Sequence, residues 1–337
     1  MRCRCPTAAP YYKDEFFREV IMTLGLISDF REYYDHCFDQ KECSDVLKEH
    51  YQAHRTERDR KDMGRHYTPK HLARAVTKMA LKPNGSPDAG WLKHLAAVQQ
   101  LPVDQQLQAV LNFHTCDPAA GSGNFLVQAA KEIGIGVARI LFQSKVLDAR
   151  QVEAGMSLAT QNCIYGVDRD PLAVELCKLA LWLNATEHHI LTELPLPTLP
   201  NIRCGDSLVG VLELSVLKEG IPDGFYKPNG LDDKAVAAAY RKQNKQERSR
   251  HTNTATSGSL QILRDACDVY TAACFVKKLP DAPVPTTATL GAVLNQCLTP
   301  QQEAIVQHCR ETSQRLRFFH WKLEFPEVFL KNAKKAI

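Results

Sequence analysis

The chain reads as an α/β protein: an incomplete parallel sheet with crossover helices, preceded by an N-terminal helical region. Three observations predict this. Short apolar runs alternate with amphipathic helical stretches, the order that builds a parallel sheet. Three of those runs end close to an acidic residue, Asp117, Asp168 and Asp206. Between the first and the second stands Asp117-Pro118-Ala119-Ala120-Gly121-Ser122-Gly123-Asn124-Phe125-Leu126, which reads as a strand end, a glycine turn and a helix start.

Residues 1–62 form the helical region, with apolar stripes at Phe16, Phe17, Val20, Ile21, Leu24 and Leu26 and at Val46, Leu47 and Tyr51. A polar run at 55–62 ends it. Residues 63–213 are the ligand-binding part. There Thr68-Pro69 is read as the N-cap and first turn of a helix whose inner face is Leu72, Ala75, Val76, Met79 and Ala80. A Pro/Gly/Asn-rich loop at 82–90 leads to a helical stretch over about 91–111, then a strand at 112–116. Phe125, Leu126, Ala129, Ala130 and Ile133 recur at helical spacing after the glycine turn, and another helix covers 148–162. Residues 163–167 make the second strand. Asp170-Pro171 starts the next helix, lined by Leu172, Leu176, Leu179 and Leu183. A proline-punctuated loop from Pro195 to Pro200 precedes the third strand at 201–204. Periodicity weakens over 214–317: a basic run at 241–259 reads as a loop, and helices are expected at 260–278 and 299–316. Residues 318–337 form the closing segment.

The glycine turn limits the ligand. Gly121 and Gly123 lack a Cβ, so a ligand can approach bare backbone. The helix start aims N–H groups and a positive dipole end at the same place. With Asp117 beside them, these features suit a ligand carrying both an amino group and a carboxylate. A dinucleotide fits poorly, because Leu126 stands where the third glycine should be and the next strand-end acid lies about fifty residues on. A phosphate loop is excluded, because no Lys-Ser or Lys-Thr follows. The net charge of +4 is compatible with nucleic acid without requiring it. No apolar run is long enough for a transmembrane helix, and the N-terminus lacks a secretory signal's apolar core, so a cytoplasmic location is expected. The twelve cysteines are scattered and read as free thiols. His36, His50 and His54 lie near Cys37 and Cys43, but the spacing lacks a matching second pair, and no metal is expected.

The loop at 117–126 resembles the cofactor loop of amino-methylating DNA methyltransferases, usually Asp-Pro-Ala-Cys-Gly-Ser-Gly-x-Phe-Leu, with Ala120 in place of Cys. His66-Tyr67-Thr68-Pro69 resembles the Tyr-Thr-Pro element of adenine-specific members. The stretch from Ile164 through Asp168-Arg169-Asp170-Pro171 to Leu183 is similar to their second strand and helix. Cys204-Gly205-Asp206-Ser207-Leu208 is similar to their third motif. Trp321-Lys322-Leu323-Glu324-Phe325-Pro326-Glu327-Val328-Phe329 resembles a segment of the large restriction-modification and phage-defence members. The resemblance implies a Rossmann-like methyltransferase fold, S-adenosyl-L-methionine as cofactor, and methyl transfer to adenine N6 in double-stranded DNA. It implies Tyr67, Thr68 and Pro69 at the methionine end, and Asp117, Pro118, Ala119, Gly121, Ser122, Gly123, Asn124 and Phe125 around the cradle. Asp168, with Arg169, takes the ribose diol; Asp206, with Ser207 and Leu208, takes the adenine.

In that family the Phe-Pro-Glu-Val-Phe segment precedes a strand ending in Asn-Pro-Pro-aromatic, which holds the target amine and stacks on the flipped base. No Asn-Pro-Pro occurs in these 337 residues. No catalytic residue is therefore assigned. The chain is expected to be a cofactor-binding fragment, as a truncated reading frame or with a C-terminal partner chain that carries the motif. Two other classes remain: an RNA or protein methyltransferase, and a non-catalytic cofactor-binding assembly subunit.

Overall fold

The structure is a computed structural model, and it describes residues 68–82, 90–185, 199–251 and 259–329. The stripes expected within 1–62, Tyr67, the Cys37/Cys43 group and most of the loop before Pro200 lie outside the described residues. The chain divides into two compact units, Met1–Cys204 and Gly205–Ile337.

In the first unit, α1 (Lys70–Leu81), α2 (Gly90–Gln99) and α3 (Val103–Val110) precede β1 (Thr115–Asp117). Then come α4 (Asn124–Leu141), α5 (Ala149–Asn162), β2 (Ile164–Asp168), α6 (Pro171–Ala185) and β3 (Ile202–Cys204). The strands form a parallel sheet in the order β1-β2-β3, with Asp117 opposite Gly166 and Asp168 opposite Cys204. Parallel neighbours need crossovers, and the helices supply them. Sheet and helices share one apolar core, including Leu126, Ile133, Val137, Ile164, Cys177 and Leu181. The helix α4 packs so closely on α5 that a Cβ on Gly155 would stand 2.3 Å from the Gly134 carbonyl oxygen. Asp148 and Gln151 close a capping box at the start of α5.

Several boundaries differ from expectation. The single helix expected near 91–111 is two, because Pro102 cannot donate to a continuing ladder and instead precedes α3. Asn112 and Phe113 bond back to α3 carbonyls, which delays β1 to Thr115. The inner face expected for α1 is its outer one. Ala73, Thr77 and Leu81 are buried, while Leu72, Val76 and Met79 are 48%, 50% and 71% exposed. Small residues at the contact let α1 approach α4 closely enough for the Thr77 hydroxyl to reach the Phe125 carbonyl at 3.4 Å. Thr68 is not the cap either. Pro69 holds that position, and its carbonyl accepts from Ala73.

In the second unit, two 3-10 turns (Leu214–Glu219 and Asp223–Tyr226) lead into α7 (Lys234–Ser249), α8 (Leu260–Phe275), α9 (Thr287–Leu294) and α10 (Pro300–Leu316). One-turn helices at Trp321–Glu324 and Pro326–Phe329 follow. Their core includes Leu217, Ile221, Tyr226, Val269, Ala272, Leu290 and Val306. The basic run read as a loop from 241 is helical through Ser249. Asp233 caps α7 by accepting from Ala235 and Val236, and its inner face is anchored by fully buried Asn244. That side chain donates to the Ile221 carbonyl and to Asp223, and accepts from the backbone and hydroxyl of Thr287. A buried amide satisfied by distant residues makes this helix amphipathic in a way apolar spacing does not reveal. Among the described residues no helix is long and apolar enough to cross a membrane.

Candidate functional site at the strand tips

The loop after β1 is tied across to β2. The Ala120 N–H donates to the Val167 carbonyl at 2.9 Å, and the Gly121 N–H donates to Asp168 Oδ2 at 2.8 Å. The Gly123 N–H turns back to the Ala120 carbonyl at 2.9 Å. Gly121 and Gly123 sit at φ +53° and +85°, where L side chains are strained. They answer different needs. A Cβ on Gly123 would stand 2.7 Å from Cys177 Sγ on α6, so this glycine permits packing. A Cβ on Gly121 would meet nothing within 4 Å, so there is open space beside the loop. The N–H groups of Gly121 and Gly123, expected to face a ligand, are used within the protein.

Asp168 is held from both sides. Its Oδ2 accepts from Gly121, and its Oδ1 accepts from the Asp170 N–H at 2.8 Å. An ionised carboxylate has about four lone-pair positions, so about two remain for hydroxyl donors. Asp117 accepts from the Ala119 N–H at 3.0 Å. Burial raises its pKa above the ordinary 3.8 and the Asp168 charge adds to this, against the lowering effect of that N–H. The first unit therefore brings two carboxylates together at adjacent strand tips, next to the glycine loop.

On the other side of the loop, Asn124 at the start of α4 donates through Nδ2 to the Thr68 carbonyl at 3.2 Å. Thr68 and Pro69 are thereby attached to the loop, through the Thr68 backbone rather than its hydroxyl. Pro118, Ala119 and Arg169 are exposed, while Ser122 and Phe125 are half-buried. The Arg169 carbonyl faces Cys204 Sγ at 3.7 Å. Asp170 was read only as a helix start, yet it does more. Its buried carboxylate accepts from Leu172 while its N–H orients Asp168. The Asp-x-Asp-Pro spacing carried that signal.

Asp206 opens the second unit and lies two residues after β3 in the chain. Its N–H donates to the Arg317 carbonyl at 2.7 Å, and its Oδ1 accepts from Leu208 at 3.1 Å. It forms a parallel bridge with Phe318. The Trp321 indole donates to the Ser207 carbonyl at 3.1 Å, and Phe319 donates to the Val209 carbonyl at 2.8 Å. Gly205 is required by packing, since a Cβ there would stand 2.4 Å from the Phe319 ring. Residues 317–321 thus brace the Asp206 turn and leave Leu208 93% exposed. His320 completes the brace. Its Nδ1 accepts from the Val211 N–H at 3.1 Å and its Nε2 meets buried Asp268 at 3.0 Å. Nothing in the sequence pattern paired His320 with Asp268.

The described cysteines are free thiols, and burial raises Cys163 and Cys309 to about 12. No group of three His, Cys, Asp or Glu side chains among the described residues is arranged to hold a metal.

Comparison with known proteins shows what this chain is similar to. Residues 162–335 match the family described as Eco57I restriction-modification methylase. Residues 95–213, which contain the glycine loop, Asp117, Asp168 and Asp206, match the DNA-methyltransferase domain of MmeI. A stretch of 104 residues is 40% identical to a Methanocaldococcus jannaschii protein named as a type II restriction enzyme and methyltransferase. That match covers 29% of this chain and 9% of the relative.

Proposed function

The chain belongs to the Eco57I restriction-modification methylase family, and from that premise we propose that it binds S-adenosyl-L-methionine for methylation of adenine N6 in double-stranded DNA. The observation that carries the reading is Asp168, fixed by two backbone N–H groups yet with acceptor capacity left, beside Asp117 and the open side of Gly121. A ribose diol needs a carboxylate that accepts two hydrogen bonds from adjacent hydroxyls, and the remaining acceptor capacity of Asp168 suits it to that role. Asp117 suits the α-amino group of the methionine end, because a cation next to a carboxylate with a raised pKa favours its ionised form. Thr68 and Pro69, tied to the loop through the bond from Asn124 to the Thr68 carbonyl, are assigned to the same end in this proposal. Asp206, with Ser207 and Leu208, takes the adenine amino group in this reading. When bound, S-adenosylmethionine supplies the electrophilic methyl.

Adenine N6 is a weak nucleophile whose lone pair is delocalised into the ring. It must be held in line by hydrogen-bond acceptors on a flipped base. These 337 residues contain no Asn-Pro-Pro-aromatic motif to do so. We therefore propose that they supply cofactor binding, and that transfer requires the motif on a further polypeptide segment. The setting is restriction-modification or phage defence, in the cytoplasm with the DNA. The test has two readouts. Calorimetry with S-adenosylhomocysteine should show saturable binding to the 337-residue chain. Radiolabelled transfer to DNA should be absent until a polypeptide carrying Asn-Pro-Pro-aromatic is added. Lack of binding would reject the cofactor reading. Robust adenine methylation by the chain alone would overturn the proposed division of labour, and labelling of RNA or protein instead would reassign the substrate.

A further inference from the structure

The helix α7 has one anchored face and one basic face. Ala237 and Asn244 are buried, Tyr240 is half-buried with its hydroxyl toward the Ala282 carbonyl, and Glu247 accepts from the Ala288 N–H. Arg248 is turned to Asp223 at 2.8 Å. The exposed surface alongside it carries Lys234, Arg241, Lys242 and Lys245, with exposed Arg250 just past the helix end. Lys234, Arg241 and Lys245 are spaced i, i+7 and i+11, which puts them on one stripe, with Lys242 beside it.

The acidic groups on this helix and just ahead of it are engaged. Glu247, the only acid between Lys234 and Arg250, is half-buried and bonded to Ala288 and Gln243. At the N-terminal end, Asp233 caps the helix, and Asp232 accepts from the backbone of Asn229 and Lys278. The exposed face therefore presents positive charge without interleaved carboxylates. A face stabilised by i,i+4 ion pairs would alternate signs, and this one does not.

We propose that this face of α7 binds the phosphate backbone of duplex DNA, as a sequence-independent contact that adds to recognition of the methylation substrate. The proposal rests on the DNA-methylase reading for its choice of polyanion. Eleven residues at about 1.5 Å rise give a basic ridge of about 16 Å. Phosphates on one strand recur about every 3.4 Å along the duplex axis, so the ridge is long enough to meet several of them. Long flexible lysine and arginine side chains on a rigid helix suit positioning rather than base reading. Buried Asn244 anchors the helix, while the charged ends of the ridge stay exposed.

The test is fluorescence anisotropy of the full chain with a labelled duplex of arbitrary sequence across a salt series. The triple variant Arg241→Ala, Lys242→Ala, Lys245→Ala is compared with wild type and with a control triple, Lys93→Ala, Lys145→Ala, Arg150→Ala. The control removes the same charge from exposed positions in the other unit. Each phosphate contact contributes about 0.9 to the log–log salt slope, so the α7 triple should lower the slope magnitude by about 2.7 and weaken binding on the order of tenfold or more in low salt. The control should change neither by more than its net charge requires, and helical circular dichroism should match in all three. An unchanged slope in the α7 triple, or equal losses in both triples, would overturn the proposal. So would tighter binding of wild type to vesicles of anionic phospholipid than to DNA. Calorimetry with S-adenosylhomocysteine on the same proteins separates the two readings. Cofactor binding with no effect of the α7 triple rejects this surface alone. Absent cofactor binding with the slope change intact rejects the cofactor reading and leaves the surface standing.

Discussion

Removing the Asp168 carboxylate should weaken cofactor binding more than it weakens the fold. In Asp168→Ala, two acceptors of backbone N–H groups disappear, those facing Gly121 and Asp170 at 2.8 Å. The same change removes the proposed pair of ribose hydrogen bonds. Hydrogen bonds to a charged group contribute about 1.5–3 kcal/mol each, so the lost ribose pair alone corresponds to roughly 3–6 kcal/mol before water replaces part of it. Even half of the lower figure is about tenfold in affinity. The freed Gly121 N–H is at a half-buried residue and the freed Asp170 N–H at a buried one; at about 1–3 kcal/mol for a buried donor left unpaired, the stability loss should be about 1–3 kcal/mol. Calorimetric titration with S-adenosylhomocysteine measures the first effect, and thermal unfolding without ligand measures the second. Asp168→Asn keeps an acceptor for one N–H but turns an NH2 toward the other or toward the ribose, and it should fall between. Equal affinity in wild type and Asp168→Ala would refute the reasoning, because no other loss in the loop could then be attributed to ribose binding.

Four further outcomes follow from the geometry. Gly123→Ala should destabilise the first unit by about 1–3 kcal/mol, since its Cβ meets Cys177 at 2.7 Å under a positive φ; an unchanged melting temperature would contradict this. Gly121→Val should harm cofactor affinity more than Ala120→Cys does, because the branched side chain fills the open space beside the loop and Ala120 points into the core; the reverse order in calorimetry would show that the loop does not cradle the ligand. Burial and Asp168 raise the Asp117 pKa, so on folding alone Asp117 contributes stability at acid pH that is lost as pH rises through the raised value. A bound ammonium favours the ionised form, so cofactor affinity should drop as pH falls through that same value, and Asp117→Asn should flatten the profile. His320→Ala should cost about 2–6 kcal/mol, because it strands the Val211 N–H and one side of buried Asp268, each about 1–3 kcal/mol; urea melts of wild type and variant check it, and a change below ~1 kcal/mol would show that water replaces the imidazole.

Local chemistry made much of this protein legible in its sequence. The glycine turn after Asp117, the Asp170-Pro171 helix start and the apolar faces of α4 and α6 depend on residues close in the chain, and each stands where the pattern placed it. The boundaries that moved were set by backbone turns that apolar spacing does not encode, as at Phe113, whose N–H turns back to Val110 and shortens β1. The α1 helix shows the limit of apolar spacing. Its most hydrophobic stripe faces outward, because only the small residues Ala73 and Thr77 allow close approach to α4. The α7 helix shows the converse, since its inner face is held by a buried amide whose partners lie 21 to 43 residues away.

For the site, the chain alone determined the residue types: acids after strands, glycines in the turn and a Thr-Pro element ahead of them. The tertiary structure decided their use. It spends the Gly121 N–H on Asp168, 47 residues away, and so converts an expected anion-binding donor into a support that aims a carboxylate. It assigns Gly123 to packing and Gly121 to open space, although the two look alike in sequence. It braces Asp206 with residues 317–321, more than a hundred positions later. Residue type and turn chemistry act within a few bonds and can be read along the chain. Which donor meets which acceptor depends on how the strands and helices pack, and that is decided only when distant segments come together.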